Sequence, residues 1–71
     1  MTSEETPNKL LDAAQTLIQE RGYNSFSYKD LAEDVGIRTA SIHYHFPGKA
    51  SLGLALMERY VERLHLTLAA I

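Results

Sequence analysis

The sequence contains no cysteine and no tryptophan, and it has only two prolines and four glycines among its 71 residues. The absence of cysteine excludes disulfide bonds, thiolate metal sites and cysteine nucleophiles, and it suits a reducing cytoplasm. No apolar run is long enough to cross a membrane, and the first ten residues carry two glutamates where a signal peptide needs an apolar core. A chain of this length forms one small domain at most.

The charge is unevenly distributed along the chain. The net charge is −2, which by itself disfavours a nucleic-acid partner. Residues 1–37 hold seven acidic and three basic side chains, whereas residues 38–49 hold Arg38 and Lys49 and no acid. This cationic window on an acidic domain indicates where a polyanion can dock.

The apolar periodicity predicts an amphipathic first helix. We expect residues 1–6 to form a disordered tail, with Thr6 as the N-cap, Pro7 in the first turn and Gly22 as the C-cap. One side of this helix is apolar and predicts a buried face: Leu10, Leu11, Ala13, Ala14, Leu17 and Ile18.

Two short helices are predicted to follow. A capping box from Ser27 to Asp30 starts a second helix of about two turns, which ends at Gly36. A third helix begins near Thr39 and stops before Pro47, because a residue that precedes proline is disfavoured in helical geometry. Two short helices joined by a turn that contains glycine form a helix-turn-helix motif.

Residues 49–71 are predicted to form a long fourth helix with an apolar stripe made of Leu56, Met57, Tyr60, Val61, Leu64, Leu68 and Ile71. So long a helix has little to pack against in a small domain. We therefore expect this chain to be the N-terminal part of a larger one, or a partner to cover this end of the helix. The predicted fold class is all-α, a three-helix helix-turn-helix domain followed by the start of a longer fourth helix.

The third helix has an unusual exposed face. Ile42 and Phe46 are four residues apart and face inward, and the other positions carry hydroxyls, imidazoles and a phenol without any acid. Phosphate repels carboxylates, and short polar side chains reach the edges of bases. This pattern favours a helix that enters the major groove of DNA.

The segment from Gly36 to Lys49, GIRTASIHYHFPGK, resembles the recognition-helix signature of the TetR family of bacterial transcriptional repressors. The segment from Gly22 to Ala32, GYNSFSYKDLA, is similar to the end of the first helix and the second helix in that family. The match covers about residues 8–60. The resemblance implies a cytoplasmic bacterial regulator that binds a palindromic double-stranded DNA operator as a homodimer and responds to a small-molecule effector. It also implies that residues 7–48 are the DNA-binding domain and that residues 49–71 link it to a C-terminal effector and dimerisation domain that is not present in this chain.

The resemblance also implies roles for individual residues. Those expected to read bases are Arg38, Thr39, Ala40, Ser41 and His43. Those expected to contact phosphates are Ser27, Tyr28, Lys29, Tyr44, His45 and Lys49. The chain departs from the usual family pattern at Arg38, Ala40 and His43, so the operator sequence does not follow from the resemblance.

Other readings have less support from the sequence. His43 and His45 lie about 200° apart around a helix and cannot share one metal ion, and we expect no cofactor. The chain has no nucleophile elbow, no phosphate loop and no paired carboxylates, so we do not expect an enzyme. Arg21, Arg59 and Arg63 are expected to be solvated.

The alternative function is a small helical interaction module that pairs through the fourth-helix stripe without binding DNA. The net charge of −2 favours this alternative.

Overall fold

The computed structural model describes residues 5–70, which form four α-helices and one short 3₁₀ turn, without any strand in this range. The helices are α1 (Glu5–Arg21), α2 (Tyr28–Val35), α3 (Thr39–His45) and α4 (Lys49–Ala69), and the 3₁₀ turn (Tyr23–Ser25) joins α1 to α2. The predicted all-α helix-turn-helix fold is confirmed. Within residues 5–70, no helix combines the length and the apolar character that a membrane-spanning segment requires.

The start of α1 differs from the prediction. The helix already includes Glu5, so Thr6 lies inside the first turn and is not the N-cap. The predicted tail over residues 1–6 is therefore wrong for Glu5 and Thr6, and residues 1–4 lie outside the described residues. At the other end, Gly22 adopts a φ of 87° and donates its N–H to the carbonyl of Ile18 at 2.8 Å, which ends the helix where the sequence predicts.

Both ends of α2 follow the prediction. The backbone N–H of Ser27 donates to the Asp30 carboxylate at 2.9 Å, and the N–H of Asp30 donates to the Ser27 hydroxyl oxygen at 3.3 Å. These two bonds form a capping box. Gly36 ends the helix in the left-handed region at φ 81°, where other residue types are strained.

The turn between α3 and α4 also follows from local chemistry. Phe46 is extended, with φ −133° and ψ 91°, because Pro47 excludes the helical conformation from the residue before it. The Ser51 hydroxyl then accepts the N–H of Gly48 at 3.0 Å and donates to the carbonyl of the same glycine at 2.7 Å. This local cap starts α4 at Lys49, as predicted.

One hydrophobic cluster joins all four helices. Its buried members are Leu10, Leu11, Ala14, Leu17, Phe26, Leu31, Ala32, Ile42, Phe46 and Leu52. The inward positions predicted for α1 and α3 are confirmed, with Ala13 and Ile18 partly buried against the cluster. Leu52 is fully buried although the predicted apolar stripe of α4 begins at Leu56, one turn later. The first turn and a half of α4 thus belong to the core of the domain.

The remainder of α4 extends away from this core. Its large apolar side chains are about half or more exposed: Met57, Tyr60, Val61, Leu64, Leu66 and Leu68. The predicted lack of packing partners is confirmed within the described residues. The link back to α1 is an ion pair between the Arg59 guanidinium and the Asp12 carboxylate, with the Arg59 side chain only 18% exposed. The prediction that Arg59 is solvated is wrong, because α4 still lies against α1 at this level.

The burial of Leu52 leads to a stability prediction. We expect Leu52→Ala to lower the free energy of unfolding by about 2–5 kcal/mol, since it removes a fully buried side chain and leaves a cavity. Urea unfolding followed by circular dichroism measures the difference. The matched control is Leu66→Ala on the same helix, where the side chain is 65% exposed and a change within about 0.5 kcal/mol is expected. Equal losses in the two variants would contradict this account of the core.

The capping box leads to a pH prediction. The Ser27 backbone N–H and, second, its hydroxyl lower the pKa of Asp30 below its usual range. A carboxyl with a lowered folded-state pKa stabilises the fold above its unfolded pKa of about 3.9 and loses that contribution as the pH falls through the folded value. We therefore expect Asp30→Asn to destabilise the chain at pH 6 and to approach the wild type in stability as the pH falls below about 4. Urea midpoints across this range test it, with Asp34→Asn on the same helix as the control.

Candidate nucleic-acid interface

The outward face of α3 brings together all five residues that were predicted to read bases. Ile42 is fully buried and Phe46 is 8% exposed, so the helix is held from below. On the other side the predicted base-reading residues are all exposed: Arg38, Thr39, Ala40, Ser41 and His43. Tyr44 projects beside them with 80% of its surface accessible. The result is a short helix with a continuous polar surface.

This surface carries no negative side chain. No carboxylate occurs between Val35 and Met57, so α3 and the first turns of α4 are free of acids. Arg38, at the N-terminal end of α3, is exposed, and so is Lys29 in the first turn of α2. The acidic residues that give the chain its net charge lie on other parts of the molecule. An anion that approaches α3 therefore meets donors and cations on this helix.

The His43 ring is held against α2 and against the end of its own helix. Its centroid lies 4.8 Å from that of the Tyr28 ring, with the planes tilted by 55°. Its Nδ1 atom lies 3.3 Å from the carbonyl oxygen of Pro47. The Tyr28 hydroxyl donates to the carbonyl of Phe46 at 2.9 Å, and burial, followed by the nearby Tyr23, raises the pKa of the Tyr28 phenol. These contacts fix α3 relative to α2 and orient the imidazole.

Lys49 forms a clamp at the start of α4. Its ammonium donates to the carbonyl of Phe26 and lies 4.1 Å from the centre of the Phe26 ring and 4.9 Å from that of Tyr23. In return, the Tyr23 hydroxyl donates to the carbonyl of Lys49 at 2.9 Å. An ammonium carries three N–H donors, so the remaining donors of Lys49 are available to an anion. The clamp ties the first turn of α4 to the segment between α1 and α2.

The six residues predicted to contact phosphate fall into two groups. Lys29 and Tyr44 are exposed, and His45 is half-buried with its ring edge-on to Tyr44 at 5.0 Å. Each residue of the second group already donates one hydrogen bond to an internal acceptor. Ser27 donates its hydroxyl to Asp30 at 3.1 Å, Tyr28 donates to Phe46, and Lys49 donates to Phe26. The phosphate contacts of all six residues stay predictions.

The sequence did not predict that Thr6 and Tyr23 lie near the interface. Thr6 lines a shallow concave surface together with Arg38, Ser41 and Tyr44. Tyr23 is 38% exposed, and its hydroxyl donates to the backbone carbonyl of Lys49. Both contacts join segments that are far apart in the chain. No local periodicity or spacing could have found them.

Comparisons with known proteins agree with this geometry. Residues 10–56 match the family described as "Bacterial regulatory proteins, tetR family". The biofilm operon icaADBC HTH-type negative transcriptional regulator IcaR of Staphylococcus aureus (strain Newman) is 42% identical over 45 residues, which are 63% of this chain and 24% of that protein. The HTH-type transcriptional repressor KstR2 of Rhodococcus jostii (strain RHA1) is 34% identical over 56 residues, which are 79% of this chain and 28% of that protein.

A solved structure shows the same fold. The crystal structure of a TetR-family transcriptional regulator from Agrobacterium tumefaciens matches 97% of this chain and 36% of that one, with a TM-score of 0.89 and 42% sequence identity. The chain spans about a quarter of the length of the curated relatives described above. The family match covers the core of the domain and every predicted base-reading residue. The chain therefore belongs to the TetR family of bacterial regulatory proteins and has the fold of the family's N-terminal helix-turn-helix DNA-binding domain.

Proposed function

We propose that this chain binds double-stranded DNA sequence-specifically, as the DNA-binding part of a transcriptional repressor, and that α3 enters the major groove. The observation that carries the proposal is the exposed face of α3, on which short polar side chains and Arg38 occur without any acid. A solvated surface helix has no physical reason to exclude carboxylates. A helix that lies between two phosphate backbones does exclude them, because phosphate repels carboxylate. The names of IcaR and KstR2 as negative regulator and repressor support the same role.

The geometry supports a division of labour on this surface. Arg38, Thr39, Ser41 and His43 present donors and acceptors that reach base edges, and the Ala40 methyl suits contact with a thymine methyl. Lys29, Tyr44, His45 and Lys49 lie around them and bind backbone phosphates in this proposal. Ser27 and Tyr28 then act mainly by positioning α2 and α3, since their hydroxyl hydrogens are donated to Asp30 and Phe46.

The whole regulator would act as a homodimer on a palindromic operator. A dimer places one α3 in each half-site, with half-sites separated by one helical turn of DNA or a multiple of it. Dimerisation and release by a small-molecule effector would reside in a part of the protein that follows α4. The exposed apolar side chains of α4 support such a covering part. The chain by itself should bind weakly, since one module lacks the effective concentration that a second half-site provides.

A second candidate function is a helical interaction module that binds no DNA. The exposed apolar side chains beyond the first turns of α4, together with the net charge of −2, favour it. This function does not explain the acid-free face of α3. The two candidates make opposite predictions about salt-dependent binding to duplexes, which decides between them.

Selection of bound sequences from random duplex DNA, combined with a salt titration, tests the proposed function. The experiment uses the chain alone and the chain dimerised through a fused coiled coil. We expect the dimer to enrich a palindrome and its affinity to fall steeply with salt. If the dimer enriches no sequence and shows no salt-dependent binding, the proposed function is wrong and the interaction module is favoured.

A phosphate contact by Lys29 leads to a uniform effect. We expect Lys29→Ala to weaken binding to all duplexes alike and to reduce the slope of log K against log salt by about one, because one fewer counterion is released. Fluorescence anisotropy with specific and random duplexes measures both quantities. Arg63→Ala, on the exposed far part of α4, removes the same charge and should leave the slope unchanged. A loss confined to the specific duplex would assign Lys29 to base recognition instead.

A base contact by Ser41 leads to a local effect. We expect Ser41→Ala to relax the preference at one base pair of each half-site by about 1–3 kcal/mol and to leave the salt slope intact. Binding to a panel of single-base-pair variants of the selected operator measures the preference at every position. If Ser41→Ala weakens all duplexes equally, then Ser41 does not read a base.

A further inference from the structure

The His43 ring is the one predicted base reader whose hydrogen-bonding state the fold constrains. Its Nδ1 atom lies 3.3 Å from the carbonyl oxygen of Pro47, and Tyr28 packs against its face. A carbonyl oxygen only accepts, so a hydrogen bond to Pro47 requires the proton to be on Nδ1. A neutral imidazole has a single N–H, which leaves Nε2 with a free lone pair.

The free nitrogen lies on the side of the ring away from Pro47. The two ring nitrogens are on opposite sides of Cε1, so a ring that is hydrogen-bonded through Nδ1 keeps Nε2 off the Pro47 carbonyl. His43 is exposed. Within residues 5–70, the contact with Pro47 is the hydrogen bond that the structure gives for this ring. A Thr or Ser hydroxyl can rotate to donate or accept. Nε2 of His43 in this tautomer can only accept.

We propose that neutral His43 reads an exocyclic amino group in the major groove, either N6 of adenine or N4 of cytosine, and that protonation reverses this preference. The proposal rests on the proposed DNA binding and specifies which chemistry this residue recognises. Adenine and cytosine present amino donors in the major groove, whereas guanine presents its N7 and O6 acceptors and thymine its O4 acceptor. An acceptor at Nε2 pairs with the first two bases and meets a lone pair opposite the others.

Protonation adds a donor at Nε2 and leaves the Nδ1 bond to Pro47 in place. The protonated ring offers Nε2 as a donor, which suits the N7 and O6 acceptors of guanine. The titratable side chain that α2 places against the ring is Tyr28, whose phenol is a neutral donor to Phe46. Lys49, at the start of α4, is turned toward Phe26 and Tyr23.

No other charged side chain on α3 contacts the His43 ring within the described residues. His45 is two residues away, about 200° around α3, and packs beside Tyr44 and Phe46. The ion pairs within residues 5–70 join Arg21 to Asp30 and Arg59 to Asp12, so neither supplies a carboxylate partner to His43.

The tautomer is tested without DNA. Long-range ¹H–¹⁵N correlation spectra of the histidine-labelled chain at pH 7.5 distinguish a protonated Nδ1 from a protonated Nε2. We expect His43 to be protonated on Nδ1 and His45→Gln to leave its signals unchanged. A dominant Nε2–H form of His43 overturns the proposal, whatever the chain binds.

The readout is tested by selecting operators with the coiled-coil dimer at pH 7.5 and at pH 5.5. At one base pair of each half-site we expect adenine or cytosine at the higher pH, with a shift toward guanine by roughly tenfold at the lower pH. His43→Gln does not titrate and offers both a donor and an acceptor, so it should abolish the shift. His45→Gln should retain it, and circular dichroism at both pH values confirms folding.

The outcomes distinguish a failure of the His43 inference from a failure of the proposed DNA binding. If the wild type enriches an operator but shows no shift, or shows the same shift with His43→Gln, then the base preference is not set by His43 and this inference is overturned. If the wild type enriches no operator at either pH, then the proposed function fails with it. The tautomer measured by NMR then still reports whether the geometry itself was right.

Discussion

The burial of Ile42 and Phe46 beneath α3 is the constraint on which the rest of this domain depends. An isolated helix of seven residues is not stable in water, because too few hydrogen bonds follow its costly nucleation. Helix α3 exists because these two side chains enter the core that α1, α2 and the start of α4 complete. Two inward residues suffice to hold it, and the other positions are free to carry chemistry.

The segment from the end of α3 to the start of α4 is held by a second kind of contact, in which aromatic and basic side chains approach backbone carbonyls. Tyr28 donates to Phe46, His43 approaches Pro47, and Lys49 donates to Phe26 while Tyr23 donates to Lys49. Phe46 and Pro47 follow the last residue of α3, where carbonyls lack intrahelical donors, and Tyr28 and His43 lie against these two carbonyls. Residues that the sequence predicts to bind phosphate thus also fix the position of α3. In this chain a polar residue near the interface cannot be assigned to DNA by its type alone.

Helix α4 belongs to two environments. Leu52 is fully buried and Arg59 is paired with Asp12 against α1, whereas the large apolar side chains of the last turns are exposed. The chain corresponds to about a quarter of the length of its curated relatives, and the far part of α4 offers the apolar contact area that a further helical part of such a protein would use.

The sequence by itself determined the four helices, most of their boundaries and the two faces of α3. Those features arise from local rules: the Ser27 capping box, the left-handed Gly36, the restriction before Pro47 and the four-residue spacing of Ile42 and Phe46. Only the tertiary structure decided which polar groups are already engaged, since the contacts of Lys49 with Phe26 and of Arg59 with Asp12 join distant segments. It also placed Leu52 in the core and oriented the His43 ring. Hydrogen-bond partners depend on which segments the fold brings within about 3 Å, and no periodicity along a chain encodes that distance.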